Sequence, residues 1–203
     1  MFTAEDVVWL GHASFQIKAE KIIYIDPWNL KINDPADIVL VTHSHYDHCS
    51  AADISKIQKT DTIIVAAQDC RDKLFGNVRF IHPGEHLEIK GIEIEAVPAY
   101  NIAKSFHPRA KNGVGYIINL EAARIYHAGD SDFVPEMSTL KADIALLPIG
   151  GTYTMNPQEA AELVNKIKPK LAIPMHYGSI VGDAKDAEMF KQLCHTEVKI
   201  LKP

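Results

Sequence analysis

Apolar and polar positions along this chain alternate in two rhythms. Residues 7–10, 14–17 and 21–25 are short β-favouring runs separated by polar or turn residues, which predicts successive strands. Residues 37–42 contain the unbroken apolar run Ile38-Val39-Leu40-Val41, as a strand covered on both faces does. Ser50, with Asp53 three residues on, gives a capping-box-like helix start. Ile54 and Ile57 supply that helix with an apolar stripe, and residues 62–67 return to strand. Residues 87–89 and 92–95 alternate with period two around Lys90-Gly91, predicting a hairpin. Residues 113–120 and 124–127 predict a second one, and 143–149 a further buried strand.

The other rhythm is helical. Asn156 can cap, Pro157 suits the first helical position, and Glu159 completes the box. Ala160, Leu163, Val164 and Ile167 then share one face before Pro169 ends the helix. Asp183 with Asp186 opens another, with Ala187, Phe190 and Cys194 inward. Between them, residues 171–173 predict a strand running into Pro174-Met175-His176. No linker, repeat or low-complexity stretch interrupts the pattern. The expectation is one α/β domain over residues 1–203, its strand-rich halves forming two sheets with helices outside.

Composition narrows the function. A chain of 203 residues is long enough for one large buried core. A formal net charge of −5 argues against a broad nucleic-acid footprint, which is usually basic. The opening Met1-Phe2-Thr3-Ala4-Glu5-Asp6 is acidic and lacks the apolar core of a secretory leader. No apolar run approaches the ~20 residues of a membrane span. Cys49, Cys70 and Cys194 are odd in number and far apart, unlike a disulfide framework. A cytoplasmic protein is expected.

The chemistry concentrates in residues 43–48, His43-Ser44-His45-Tyr46-Asp47-His48, directly after the apolar run. Packing does not call for three histidines and an aspartate there, whereas imidazole nitrogens and carboxylate oxygens are what Zn²⁺ and similar ions bind. In extended backbone, residues two apart point the same way, so His43 and His45 can grip one ion. Asp47 and His48 lie where the chain turns toward the next helix and suit a second. Asp130 and His176 also follow strands, where α/β proteins usually hold their chemistry. Asp130 could bridge two cations. Alone, Asp130 would be a turn aspartate and His176 a satisfied buried histidine. In a chain that also holds the hexad, both become ligand candidates.

The hexad, Gly129-Asp130 and His176 resemble the ordered metal motifs of the metallo-β-lactamase superfamily, over nearly the whole chain. Gly11-His12-Ala13, Ile25-Asp26-Pro27, residues 126–130, residues 147–151 and Pro174-Met175-His176-Tyr177 resemble a compact branch. That branch is similar to ascorbate-phosphate lactonases and N-acyl-phosphatidylethanolamine phospholipases. The resemblance implies a four-layer αββα sandwich of two mixed sheets with helices on the outer faces. It implies His43 and His45 on a first ion, Asp47, His48 and His176 on a second, and Asp130 between them. Related chains supply a third histidine to the first ion soon after a Pro-Ala-aromatic segment. Here Pro98-Ala99-Tyr100 is followed by Asn101, and the nearest histidine is His107. Either His107 folds back as the ligand, the preferred reading, or the first site is weakened and His107 is a surface histidine.

Other residues carry less weight. Asp26 is as well explained by an Asp-Pro turn as by orienting a ligand imidazole. His12 and His127 read as structural hydrogen-bonding histidines, Cys49 as a small buried residue, and His82, His86 and His195 as ordinary. Thr152 and Tyr153 fit a glycine turn slightly better than a pocket wall. The implied activity is a metal-dependent hydrolase with two divalent ions, zinc first and manganese or iron as alternatives. Its water, with Asp47 and Asp130 as the catalytic carboxylates, would attack an ester, lactone, amide or phosphodiester of a small molecule. A nuclease or other phosphodiesterase is the runner-up, and a non-catalytic metal-binding member the third reading. Homo-oligomerisation is left open.

Overall fold

The computed structural model describes residues 3–32 and 34–203. Met1 and Phe2, from which part of the leader expectation came, lie outside them.

The first sheet takes its strands in chain order: β1 (Val7–Gly11), β2 (Ser14–Lys18), β3 (Ile22–Ile25), β4 (Ala36–Val41), β5 (Gln58–Ala67) and β6 (Val78–Ile81). β1 to β3 pair antiparallel, then β4, β5 and β6 are added in parallel. The second sheet repeats the plan. β7 (His86–Ile89), β8 (Ile92–Pro98), β9 (Val114–Asn119) and β10 (Arg124–His127) are antiparallel neighbours. β11 (Ile144–Pro148), β12 (Leu171–Met175) and β13 (Glu197–Val198) then follow in parallel. Both sheets are therefore mixed, and the two halves share a topology that no sequence repeat announces.

The sheets meet through one apolar core that holds Phe15, Ile17, Ile25, Leu40, Tyr116, Ile125 and Tyr126. Burying each such side chain contributes roughly 1.5–3 kcal/mol. Cross-links between the sheets are polar as well. The Tyr116 hydroxyl on β9 reaches the carbonyls of Val41 (2.9 Å) and Val65 (3.2 Å), and Val114 N–H donates to the Thr42 carbonyl at 3.0 Å. His127 Nε2 lies 2.9 Å from the Ala13 carbonyl, so this imidazole is structural, as expected.

Helices cover the outer faces. α1 (Ala51–Ile57) buries Ile54 and Ile57, while α2 (Pro157–Ile167) and α3 (Ala184–Leu193) pack on each other beside β11. α2 and α3 both close the capping boxes read from Asn156/Glu159 and Asp183/Asp186. α1 does not. Ser50 accepts the Asp53 N–H and donates its hydroxyl to the Asp53 carboxylate (2.8 Å), but that carboxylate accepts the N–H groups of Asn29 (2.9 Å) and Leu30 (3.0 Å) rather than the backbone N–H of the cap. A local motif gives way because a long-range partner satisfies two otherwise orphaned donors at once. The strand expected at 62–67 begins four residues earlier, and β6 and β13 are additions to the sequence expectation. Among the described residues, no helix is long and apolar enough to cross a membrane.

Candidate metal centre

The donors gather where strands end. His12 follows β1, Asp26 follows β3, the hexad follows β4, Asn101 and His107 lie beyond β8, Asp130 follows β10 and His176 follows β12. Parallel pairing of β3 with β4 sets Asp26 beside Thr42: Asp26 accepts Thr42 N–H (2.8 Å) and the Thr42 hydroxyl (2.6 Å). Several of these ends are bent backward. His12, Asp26 and His176 have φ of 52°, 45° and 58°, a left-handed region that costs non-glycine residues energy and clusters at functional sites. The surroundings hold them there: His176 N–H donates to the His12 carbonyl at 2.8 Å, and Trp9 Nε1 donates to the same oxygen at 2.9 Å. Gly129 and Gly150 allow the remaining close approaches. A Cβ at Gly129 would stand 2.7 Å from the Val114 carbonyl, and one at Gly150 2.5 Å from that of His176.

Among the described residues three donor groups result, the third (His43, His48 and Asp130) overlapping the other two. In the first, His43 Nε2 lies 3.0 Å from His45 Nδ1, which lies 3.2 Å from His107 Nε2. In the second, donor atoms of His12, Asp47, His48 and His176 all fall within 4.8 Å of one another. Asp130 stands between: its Oδ2 is 3.4 Å from His48 Nε2, 3.4 Å from His107 Nε2 and 3.0 Å from His176 Nε2. His107 is thus buried and turned into the first group, while Asn101 sits behind it and accepts its backbone N–H at 2.9 Å. Asn101 in turn donates to Asp132 Oδ1 (3.0 Å) and to the Tyr153 carbonyl (2.9 Å), and Lys104 pairs with Asp132. Tyr153 lines the cavity over the centre, the less favoured of its two sequence readings.

The residues fit divalent cations on three grounds. Buried His48 Nε2 and Asp130 Oδ1 have no hydrogen-bond partner, although burying an unpaired polar atom is costly. His45 Nδ1 stands 3.0 and 3.2 Å from the other two imidazole nitrogens of its group, close to the about 3.3 Å between donors held ~2.0–2.1 Å from one tetrahedral ion. His48 Nδ1 lies 2.7 Å from Asp26 Oδ2, the carboxylate–histidine arrangement that leaves the other nitrogen free for metal.

Electrostatics agree. Burial drives the imidazoles of His43 and His107 below their ordinary pKa, toward the neutral form that ligates. Burial acts likewise on His48, but the carboxylates of Asp130 and Asp26 outweigh it and raise its pKa well above the ordinary value. Burial would raise Asp130, yet His176 and His48 hold it far below the carboxylate range. Positive charge is therefore favoured between His48 and Asp130. Asp47 is also kept low, against its burial, by His12, whose Nε2 lies 2.9 Å away. His12 is the residue that sequence reasoning undervalued. Its signal was position: a histidine at the end of a strand, beside a glycine.

Known proteins resemble this chain over most of its length. The model of a beta-lactamase superfamily domain matches residues 6–176. A UPF0173 metal-dependent hydrolase of Thermococcus onnurineus is 39% identical over 222 residues, covering 97% of this chain and 96% of its own. One from Thermoplasma acidophilum is 40% identical over 208 residues, covering 94% and 91%. Among solved structures, a protein of Parabacteroides distasonis, provisionally named a metal-dependent hydrolase, superposes with a TM-score of 0.87. It shares 33% identity and covers 97% of this chain and 93% of its own.

Proposed function

This chain belongs to the metallo-β-lactamase superfamily, and from that membership we propose that it is a metal-dependent hydrolase of a small-molecule ester, lactone, amide or phosphodiester. It would act as one domain over residues 1–203, in the cytoplasm. The observation that carries this reading is Asp130 Oδ2, which stands within 3.4 Å of donors from both histidine groups.

His43, His45 and His107 would hold one divalent ion, and Asp47, His48 and His176 the other, with Asp130 between. Zinc suits this donor set best, and manganese or iron remain alternatives. Bound there, the pair would lower the pKa of water toward ~7 and polarise the bond under attack. The chain's own groups do the rest. Asp26 holds His48 through Nδ1, Asn101 holds His107, and His12 steadies Asp47. The Asp130 carboxylate, ionised and with Oδ1 free of hydrogen bonds, would orient the attacking water and accept its proton.

Elemental analysis of the purified protein, followed by a panel of esters, lactones, amides and phosphodiesters, tests this reading. About two ions per chain and hydrolysis lost in Asp130→Asn are expected. Fewer than about one ion, with no turnover after Zn²⁺ or Mn²⁺ loading, would instead make it a non-catalytic member. Brisk RNA cleavage abolished by the same substitution would make it a nuclease.

A further inference from the structure

Among the described residues, three of the seven large apolar side chains left exposed to water border one mouth. Tyr46, Phe106 and Ile180 are 67%, 46% and 38% exposed, and all three line a cavity of about 240 Å³ over the donor groups. Ile102, 64% exposed, sits on the same loop as Phe106. Tyr153 completes the wall, its ring edge-to-face with Phe106 at 4.6 Å. The other lining residues all belong to the donor set, and no lysine or arginine is among them. Exposed large apolar groups gathered around a concavity mark a binding site, because water leaves such surface at a gain. The neighbouring cavity, about 270 Å³, also reaches His43, His45, His107 and Asp130 but is more polar, with Lys111, Asp69, Ser44 and Ser105 in its wall, and Phe106 borders both.

We propose that the substrate is an uncharged ester or lactone bearing an apolar alkyl or small aryl group, which Tyr46, Phe106, Tyr153 and Ile180 receive. This deepens the hydrolase reading and rests on it. The cavity equals about eight waters of liquid volume, enough for a six-carbon chain or one ring. A phosphodiester strand would present further phosphates to this apolar wall, which holds no lysine or arginine. In the reaction, the water oxygen bonds to the acyl carbon and the acyl–alkoxy bond breaks. One water proton passes to the departing oxygen, giving acid and alcohol. Phe106, next in sequence to His107 and dividing the two cavities, is the specificity-determining residue.

Two measurements on the metal-loaded protein separate the assignment from the reading beneath it. Calorimetric titration with hydroxamic acids from acetyl to hexanoyl should show affinity rising about fourfold per buried methylene. Phe106→Ser and Ile180→Ser should each cut the hexanoyl-to-acetyl ratio severalfold while binding the acetyl probe nearly as before. Phe75→Ser, removing a 78% exposed ring outside both cavities, should leave the ratio unchanged. The second arm compares turnover of p-nitrophenyl acetate, butyrate, hexanoate and phenylacetate with bis-p-nitrophenyl phosphate. A flat probe series, or a preference for the phosphodiester, overturns the apolar assignment and leaves the hydrolase reading intact. A rising series with no turnover of any substrate overturns the hydrolase reading and leaves the apolar site standing.

Discussion

Asn101 Oδ1 lies 3.1 Å from His107 Nδ1, and the Tyr153 carbonyl oxygen lies 3.2 Å from the same nitrogen. Both neighbours are acceptors, since Asn101 spends its amide N–H groups on Asp132 and Tyr153. Nδ1 must therefore carry the proton, and Nε2 keeps its lone pair toward His45 and Asp130. The asparagine directly after Pro98-Ala99-Tyr100 thus aims the histidine six residues later.

Asn101→Ala removes both acceptor bonds to His107. It should weaken metal affinity at the first group about 10–100-fold, with the second group little changed. Competition with a chromophoric chelator reads this directly. Two equal, unaltered affinities would mean that Asn101 only shapes the loop.

Gly150→Ala would drive a Cβ to within 2.5 Å of the His176 carbonyl and 2.6 Å of Val181 Cγ2. The half-buried Val181 side chain can turn aside, but the His176 backbone does not yield cheaply, so a loss of about 1–3 kcal/mol is expected. In a chain of this size that lowers Tm by about 2–4 °C per kcal/mol, measured by calorimetry. An unchanged Tm would show that the β11–β12 ends yield more readily than their close packing implies.

Acid should loosen the tie between α1 and the loop after β3. Burial alone would raise the Asp53 pKa, but Lys56, Ser50 and the N–H groups of Leu30 and Asn29 hold it below the ordinary value. A carboxyl depressed in the folded state adds stability above its unfolded pKa, about 3.9, and loses it as pH falls through the folded value. Asp53→Asn should be less stable than the parent at neutral pH, and the gap should narrow below about pH 4. Urea midpoints across that range test the sign; a gap that widens with acid would refute it.

Chelation should destabilise the fold. Ions that bind only the native state add about 2.7 kcal/mol at 100 times their Kd, so Tm should fall by roughly 5–10 °C after metal stripping. Zn²⁺ or Mn²⁺ should restore it. Identical melting with chelator and with metal would leave the orphaned atoms of His48 and Asp130 without this explanation.

Much of the fold was legible because its signals are local. The apolar run before the hexad, the Lys90-Gly91 turn and the boxes at Asn156 and Asp183 each depend on residues a few positions apart. β6 escaped notice because it is four residues long and buries only Ile81, without a clean alternation. β13 is two residues long, and only pairing with β12 makes it a strand.

By itself the sequence determined the periodicities, the caps and the chemical identity of the donors, since these follow from each residue's own propensity and side-chain chemistry. Tertiary structure decided which donors meet. His12 joins Asp47 across 35 residues, and His107 joins His45 across 62. Asp26 is a turn residue and a partner of His48 at once, because β3 and β4 end side by side. Such meetings depend on where strand ends converge, and that is a property of the packed sheets rather than of any segment.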